Sequence, residues 1–538
     1  MTLRTRKGGK VPILTPEAAV KLIPNEATVA ICGAGGGLNE PTLILEELAR
    51  QYKENQRPKD ITLYHTSGIG DRATRGLSLL AQKGLVKRVI GGHWGQSPKL
   101  AEMAERNEIE AYNFPQGVMS QLLRATAAGQ PGLITHVGLG TFIDPRQQGG
   151  KLNEKTKEDL VKLIDIGGKE YLFYPSIYPD VTIIRGTTAD TEGYITMEDE
   201  VAFMDALPMA QAAYNNGGIV IVQVQKLVKS QSLHPRAVKI PGYLIDAVIV
   251  NPNQTQLYTG TVDRFVSGDY VMEIEDVDPM PLTERKVIAR RALAEVKPGD
   301  IGNVGVGISD GIGVVAGEEG VADDITLTVE LGPIGGVSAQ GIYFGATVNM
   351  KALLDMPAQF DFYHGGGLDV SFLSFAEFDQ YGNVNVHHFN GKIVGTGGFI
   401  DIAQNSKKVI FSGTFTAGGL KTSINEGKLS VLQEGKFQKL VNEVSGITFN
   451  GRDAIKNGQE VLYITERAVF KLTLDGLELI EIAPGMDLEK DILAHMGFRP
   501  IISPQLKEMD PKLFQDGNMG IKSEWEKIKN EQNVVTVK

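Results

Sequence analysis

One cysteine, Cys32, stands in 538 residues. That excludes an intramolecular disulfide and a multi-cysteine zinc site, and it fits a reducing compartment. Because it follows Val29-Ala-Ile31, Cys32 reads as a small buried hydrophobe. Long apolar runs are missing too: none reaches the roughly 18 residues of a membrane span. The basic start (Arg4, Arg6, Lys7, Lys10) leads into Val11-Pro-Ile-Leu14 without the apolar core of a secretory signal. A cytoplasmic protein with no membrane partner is expected. Positive charge is scarce, with 54 Lys and Arg against 65 Asp and Glu and a net charge of −11. A phosphate-backbone surface needs clustered cations, so no nucleic-acid partner is expected, although a small anionic ligand remains compatible. Histidine is sparse: His93, His136, His364, His387 and His388 show no HxxxH or Cys/His spacing, and adjacent residues of a strand point to opposite faces. No metal is expected. No Walker lysine follows a glycine run and no Gly-x-Ser-x-Gly elbow occurs, which argues against nucleotide hydrolysis and serine-esterase chemistry.

The chain is too long for one core, so two or more domains are expected. Thr15-Pro-Glu-Ala opens a short helix with Thr15 as cap and Pro16 at its first position. Strand-forming Ala27–Ile31 then runs into Gly33-Ala-Gly-Gly-Gly37, and residues 40–50 carry helical apolar spacing at Leu43, Leu45, Leu48 and Ala49. Such a strand, glycine turn and helix can aim backbone N–H groups at an anion, and Gly33 and Gly35 are candidates for that role. It is not a dinucleotide fingerprint, because Leu38 stands where a third glycine belongs. Ile219–Val224 is an apolar run suited to a buried parallel strand. Residues 461–481 read as a hairpin, and the polar tail after Pro504 as peripheral.

The informative feature is a repeat. Asp60-Ile-Thr-Leu63 recurs as Asp324-Ile-Thr-Leu327, each after a glycine-rich strand and turn, the second being Gly302-Asn-Val-Gly305-Val-Gly307. A weaker match pairs Thr188–Ile195 with Ala376–Val384, both reading acid, turn glycine, strand. The order of the matches is the same, so the chain reads as two related open α/β domains, mainly parallel sheets with flanking helices. The expected halves are 1–265 and 280–538. Aligning the repeats sets Glu330 opposite Thr66, so one half has a carboxylate where the other has none. Ile325, Leu327 and Val329 alternate with Thr326 and Thr328, and Glu330 falls where that strand meets Gly332, Gly335 and Gly336. At the carboxyl end of an open-sheet strand it is either a solvated strand-end acid or a nucleophile.

Several stretches resemble the family I CoA-transferases, most closely the single-chain propionate or short-chain acyl-CoA:acetate enzymes with two fused halves. They are Gly140-Thr-Phe-Ile-Asp-Pro-Arg146, Tyr171-Leu-Phe-Tyr-Pro175, Gly397-Gly-Phe-Ile-Asp-Ile402, Gly413-Thr-Phe-Thr-Ala-Gly-Gly419 and Ile464-Thr-Glu-Arg-Ala-Val469. The resemblance sets Glu330 at the catalytic glutamate, Gln116 at the glutamine beside it, and Gly397 and Gly398 in the oxyanion-stabilising loop. Where the 3-oxoacid branch reads Ser-Glu-Asn-Gly, this chain has Val329-Glu-Leu-Gly332, which favours the propionate/acetate branch.

The resemblance implies transfer of CoA from a short-chain acyl-CoA to a free carboxylic acid through a glutamyl-CoA thioester. CoA is then substrate and covalent intermediate, no cofactor stays bound, and the enzyme is expected as a homo-oligomer, a dimer or tetramer. Gly305, Gly307, Gly332 and Gly395 are expected around the substrate, with Lys407 and Lys408 as phosphate contacts or a solvated strand edge. A sugar-phosphate isomerase-like enzyme, with Glu330 as general base, and an acyl-CoA-sensing protein on the same fold are the alternatives.

Overall fold

The computed structural model describes residues 9–260, 262–273 and 279–536. Arg4, Arg6 and Lys7, and part of the expected division between the halves, lie outside the described residues. Thr15 caps helix α1 (Pro16–Val20), its Oγ1 accepting the N–H of Ala18, and Pro16 takes the first position.

Two sheets are drawn from separate stretches of chain. The first has β1 (Thr28–Ile31), β2 (Ile61–His65), β3 (Val86–Gly91), β4 (Glu110–Asn113), β5 (Val181–Asp190), β6 (Ile219–Val228) and β7 (Ala247–Val250). They lie parallel in the order β7-β6-β5-β1-β2-β3-β4. Helices α2 (Thr42–Asn55), α3 (Pro98–Glu105), α4 (Gln116–Ala127) and α5 (Ala206–Asn215) accompany them. All ten residues of β5 are buried, as a strand covered on both faces must be.

After helices α6 (Glu284–Leu293) and α7 (Ile312–Glu318), interrupting strand β8 (Ile301–Val304), come β9 (Thr326–Thr328) and β10 (Pro333–Ile334). Helix α8 (Met356–His364), strand β11 (Val370–Ser374), helix α9 (Phe399–Ala403) and strands β12 (Lys408–Ser412) and β13 (Glu460–Ile464) complete the parallel part. Its order, β13-β12-β11-β8-β9, repeats β7-β6-β5-β1-β2.

The duplication extends to single atoms. Thr28 pairs with Thr62 in the first sheet and Ile301 with Thr326 in the second, which is the register the repeated Asp-Ile-Thr-Leu requires. The N–H of Thr28 donates to Asp180 Oδ2 at 2.8 Å, and that of Ile301 to Asp369 Oδ2 at 2.9 Å. Asp190 Oδ1 accepts the N–H groups of Glu192 and Tyr194, and Asp379 Oδ1 those of Tyr381 and Asn383. Identical side-chain to backbone closures at matched positions explain why the acid–glycine signal survived in both copies.

Two expectations change. Residues 461–481 are more than a hairpin: β13 joins the parallel sheet, and only β14 (Ala468–Thr473) and β15 (Gly476–Ile482) form antiparallel pairs beyond it. The tail is not peripheral. Strand β16 (Ile501–Glu508) pairs with β15, and the helix Ile521–Thr536 buries Ile521 and Trp525 in the second half's core while Glu319 accepts the N–H groups of Met519, Gly520 and Ile521. A polar helix with one apolar stripe gives little signal in composition but buries that stripe well.

Candidate active site

Strand β9 ends in a tight turn. The N–H of Gly332 donates to the carbonyl of Val329 at 3.0 Å, which sets Glu330 and Leu331 at the two central turn positions before the chain returns as β10. Gly332 has φ +124°, and a Cβ there would lie 2.1 Å from the carbonyl oxygen of Leu354. Only glycine closes this turn, and the turn lifts the Glu330 carboxyl off the sheet end.

Glu330 faces a cavity of about 540 Å³ between the two halves, at the carboxyl ends of β9, β8 and β11. The first half supplies Gly35, Ser67, Arg72, His93, Gln96 and Gln116; the second supplies Gly305, Glu330, Leu331, Gly395, Gly397 and Gly398. Hydrogen bonds from backbone N–H groups join the two sides. The loop before α9 enters the first half: Thr396 N–H donates to Asn113 Oδ1 at 3.0 Å, Gly397 N–H to the Gly92 carbonyl at 2.8 Å, and Gln116 N–H to the Gly397 carbonyl at 3.0 Å. Gly395, at φ +82°, lies against His93 and Trp94, with its would-be Cβ 3.0 Å from the Cα of His93.

Since the N–H of Gly397 is already donated to Gly92, it is not an oxyanion donor. The N–H of Gly398 has no partner among the described residues and lines the cavity. Gln116, 2% exposed, reaches the same wall, its Nε2 donating to Met356 Sδ.

Glu330 Oε2 is shut off from solvent and has no hydrogen-bond partner. Burial pushes the carboxyl up to about 7, and the nearby charge of Asp401 adds to this. Two more polar atoms on the cavity wall are buried and unpaired, His93 Nδ1 and Gln96 Oε1. Buried polar groups without partners are costly, so three around one cavity mark a place where a polar ligand completes the bonding. Burial holds His93 down at about 4, so it is neutral at pH 7.

Of the other expected residues, Gly305 lines the cavity, but its N–H is given to Phe372. Gly33 and Gly307 are not among the lining residues, and the Gly307 carbonyl accepts from Arg285. Lys407 and Lys408 are elsewhere. They sit at the amino end of β12, at the end of the sheet opposite the cavity, Lys407 paired with Asp369 at 2.8 Å and Lys408 with Glu295 at 3.0 Å and Glu460 at 3.4 Å. As ion-paired strand-edge lysines they do not serve the cavity. Sequence reasoning missed Arg72, His93 and Gln96. The signal was available for the last two, since Gly91-Gly-His-Trp-Gly-Gln96 follows a strand and is another glycine loop at a sheet's carboxyl end.

The family model described as Coenzyme A transferase matches residues 13–251. The acetate CoA-transferase YdiF of Escherichia coli K12 is 60% identical over 516 residues, 96% of this chain and 97% of the relative. This chain belongs to the coenzyme A transferase family. The transferase is also 43% identical to the caffeate CoA-transferase of Acetobacterium woodii over 94% of the chain and 97% of that protein. A crystal structure of the E. coli O157:H7 acyl-CoA transferase YdiF, a thioester complex with CoA, matches with a TM-score of 0.93 at 59% identity, covering 96% of this chain and 99% of that one. Membership leaves the isomerase-like and acyl-CoA-sensing alternatives without support. Among the described residues of the transferase, no helix is long and apolar enough to cross a membrane, and no group of three His, Cys, Asp or Glu side chains is placed to hold a metal ion.

Proposed function

We propose that this transferase moves CoA from a short-chain acyl-CoA to a free monocarboxylic acid by ping-pong chemistry, with Glu330 as nucleophile. The observation that carries the reading is the buried, unpaired Oε2 of Glu330 at the wall of the cavity of about 540 Å³. A Glu330 carboxylate oxygen attacks the thioester carbonyl, and the tetrahedral oxyanion takes donors from the Gly398 N–H and the Gln116 amide. Collapse breaks the C–S bond, giving a mixed anhydride and CoA thiolate. The thiolate attacks the glutamyl carbonyl, releasing the first acid and leaving a glutamyl-CoA thioester. A second carboxylate reverses the sequence. Thioester is exchanged for thioester, so the balance requires neither ATP nor metal.

The E. coli relative solved as a thioester complex with CoA supports the covalent step. The wall supports the substrate class. It is largely apolar, with Leu331, Ile342, Phe344, Phe375 and Phe389, and Arg72 is its one cation among the described residues. A second substrate carboxylate has no buried cation to meet, so acetate, propionate and butyrate are favoured over succinate.

The division at 1–265 and 280–538, a homo-oligomeric dimer or tetramer, and a cytoplasmic location belong to the same reading. The matched Asp180 and Asp369 closures support the division, and the single reduced cysteine fits the location. The test is incubation with acyl-CoA and no acceptor. A CoA-sized mass increase on Glu330, reducible by borohydride, is expected together with parallel reciprocal plots; an adduct on another residue, or kinetics requiring a ternary complex, overturns the assignment.

A further inference from the structure

The stretch Gly397-Gly-Phe-Ile-Asp-Ile402 contains an acid the chemistry above does not use. Asp401, on α9 of the second half, is fully buried, yet its main partners belong to the first half. Its Oδ2 accepts the N–H of Gly117 and its Oδ1 that of Val118, both at 3.1 Å. These are the second and third residues of α4, whose first residue is Gln116. His364 Nε2, at the end of α8, lies 2.8 Å from Oδ1. A helix N-terminus carries unsatisfied N–H groups and partial positive charge, and a carboxylate there is stabilised by both. In this molecule the cap comes from another sheet, more than two hundred residues along the chain.

We propose that Asp401 is a positioning residue for the transfer reaction, clamping the N-terminus of α4 so that Gln116 is held at the cavity wall. The proposal rests on Glu330 being that nucleophile. The clamp has little slack. Gln116 N–H is tied to the Gly397 carbonyl, Gly397 N–H to Gly92, and a Cβ on Gly117 would meet Asp401 Oδ1 at 2.7 Å and the ring of Phe360 at 2.3 Å. Asp401 therefore fixes the distance between the glycine loop and the glutamine, which donate to the same developing oxyanion. The groups that face Glu330 are Asp401, Tyr363, neutral His93 and Arg72 at the cavity wall; those that face Asp401 are His364 and Tyr174. Tyr363 gives its hydroxyl to Thr328 and Tyr174 gives its to the Val137 carbonyl. Asp401 is thus the acid whose removal changes the field at Glu330.

The experiment compares Asp401→Asn and His364→Leu with wild type in the full chain, reading folding by thermal melting, kcat and KM separately, the pH profile of kcat/KM, and the rate of the CoA adduct on Glu330. Asp401→Asn removes the charge and turns one acceptor into a donor facing N–H groups. It should fold, lose kcat by 10-fold or more with KM for acyl-CoA within 3-fold, and move the acid limb of the profile to lower pH. His364→Leu removes one hydrogen-bond partner while leaving the carboxylate on the α4 N–H groups, and should reduce kcat only a few-fold. If Asp401→Asn does not fold, Asp401→Glu, which keeps the charge but lengthens the clamp, decides by the same split of kcat against KM. Wild-type kcat and an unmoved limb in a folded Asp401→Asn, or wild-type kcat in a folded Asp401→Glu, overturns the proposal. Failure of the parent reading is separate: it appears as no adduct on Glu330 in the wild type.

Discussion

The Gln116 amide lies 3.2 Å from the sulfur of Met356, so the first residues of two helices, one from each half, meet at the cavity wall. A thioether is a weak acceptor, and a donor resting on it is held in place but gives up little when a better acceptor arrives. Gln116 is parked rather than committed.

Gln116→Ala should therefore lower kcat by about 10² in steady-state assays with acyl-CoA and acetate, the range for loss of one oxyanion donor. Met356→Leu removes only the parking place and should stay within a few-fold of wild type. Equal damage from both would make the contact structural.

Transfer requires the Glu330 carboxylate, and burial pushes its pKa to about 7. The rate constant kcat/KM should rise through an acid limb centred near pH 7 and level off above about pH 8. Glu330→Gln should abolish both the limb and the CoA adduct, because a neutral amide does not attack the thioester.

The same burial has a signature in stability. Between the ordinary glutamate value of 4.5 and about 7 the native state binds more protons at Glu330 than the unfolded chain does, so stability from this group falls as pH rises through that window. Above it, the ionised carboxylate costs about 3 to 4 kcal/mol. Glu330→Gln should accordingly be more stable than wild type in urea unfolding at pH 8, and the difference should vanish near pH 4. A constant difference across that range would show that burial does not set the shift.

Buried histidines carry the opposite sign. His65 and His93 are held down at about 4 and His387 at about 3 by desolvation. The unfolded chain binds more protons at these sites below pH 6.5, so their contribution is lost as pH falls from 6.5 towards 4. His387 stacks flat on Phe142 with ring centroids 3.7 Å apart. His387→Phe keeps an aromatic stack and should flatten the acid slope of the urea midpoint; an unchanged slope would assign it to other groups.

Gly332→Ala tests the turn that lifts the nucleophile. A Cβ 2.1 Å from the Leu354 carbonyl, at φ +124°, should destabilise by about 2 kcal/mol or more and reduce activity further than the loss of folded protein explains. Normal activity per folded molecule would mean that the position of Glu330 tolerates a remodelled turn.

Local chemistry made much of this legible in the chain alone. Asp60-Ile-Thr-Leu63 and Asp324-Ile-Thr-Leu327 spell the same strand start, and the pairings of Thr62 with Thr28 and of Thr326 with Ile301 are the register those letters imply. Period-two alternation and the glycines after it located Glu330 at a strand end, because strand and turn propensities act over a few residues. The sequence itself determined the duplicated α/β architecture and the place of the odd carboxylate. Only the tertiary structure decided that Gly397 gives its N–H away while Gly398 keeps its own, that Lys407 and Lys408 sit at the end of the sheet away from the cavity, and that Asp401 caps a helix of the other half. Those outcomes depend on which segments meet across the cleft. Contacts between residues more than two hundred apart are set by the packing of two cores and leave no periodicity in the chain.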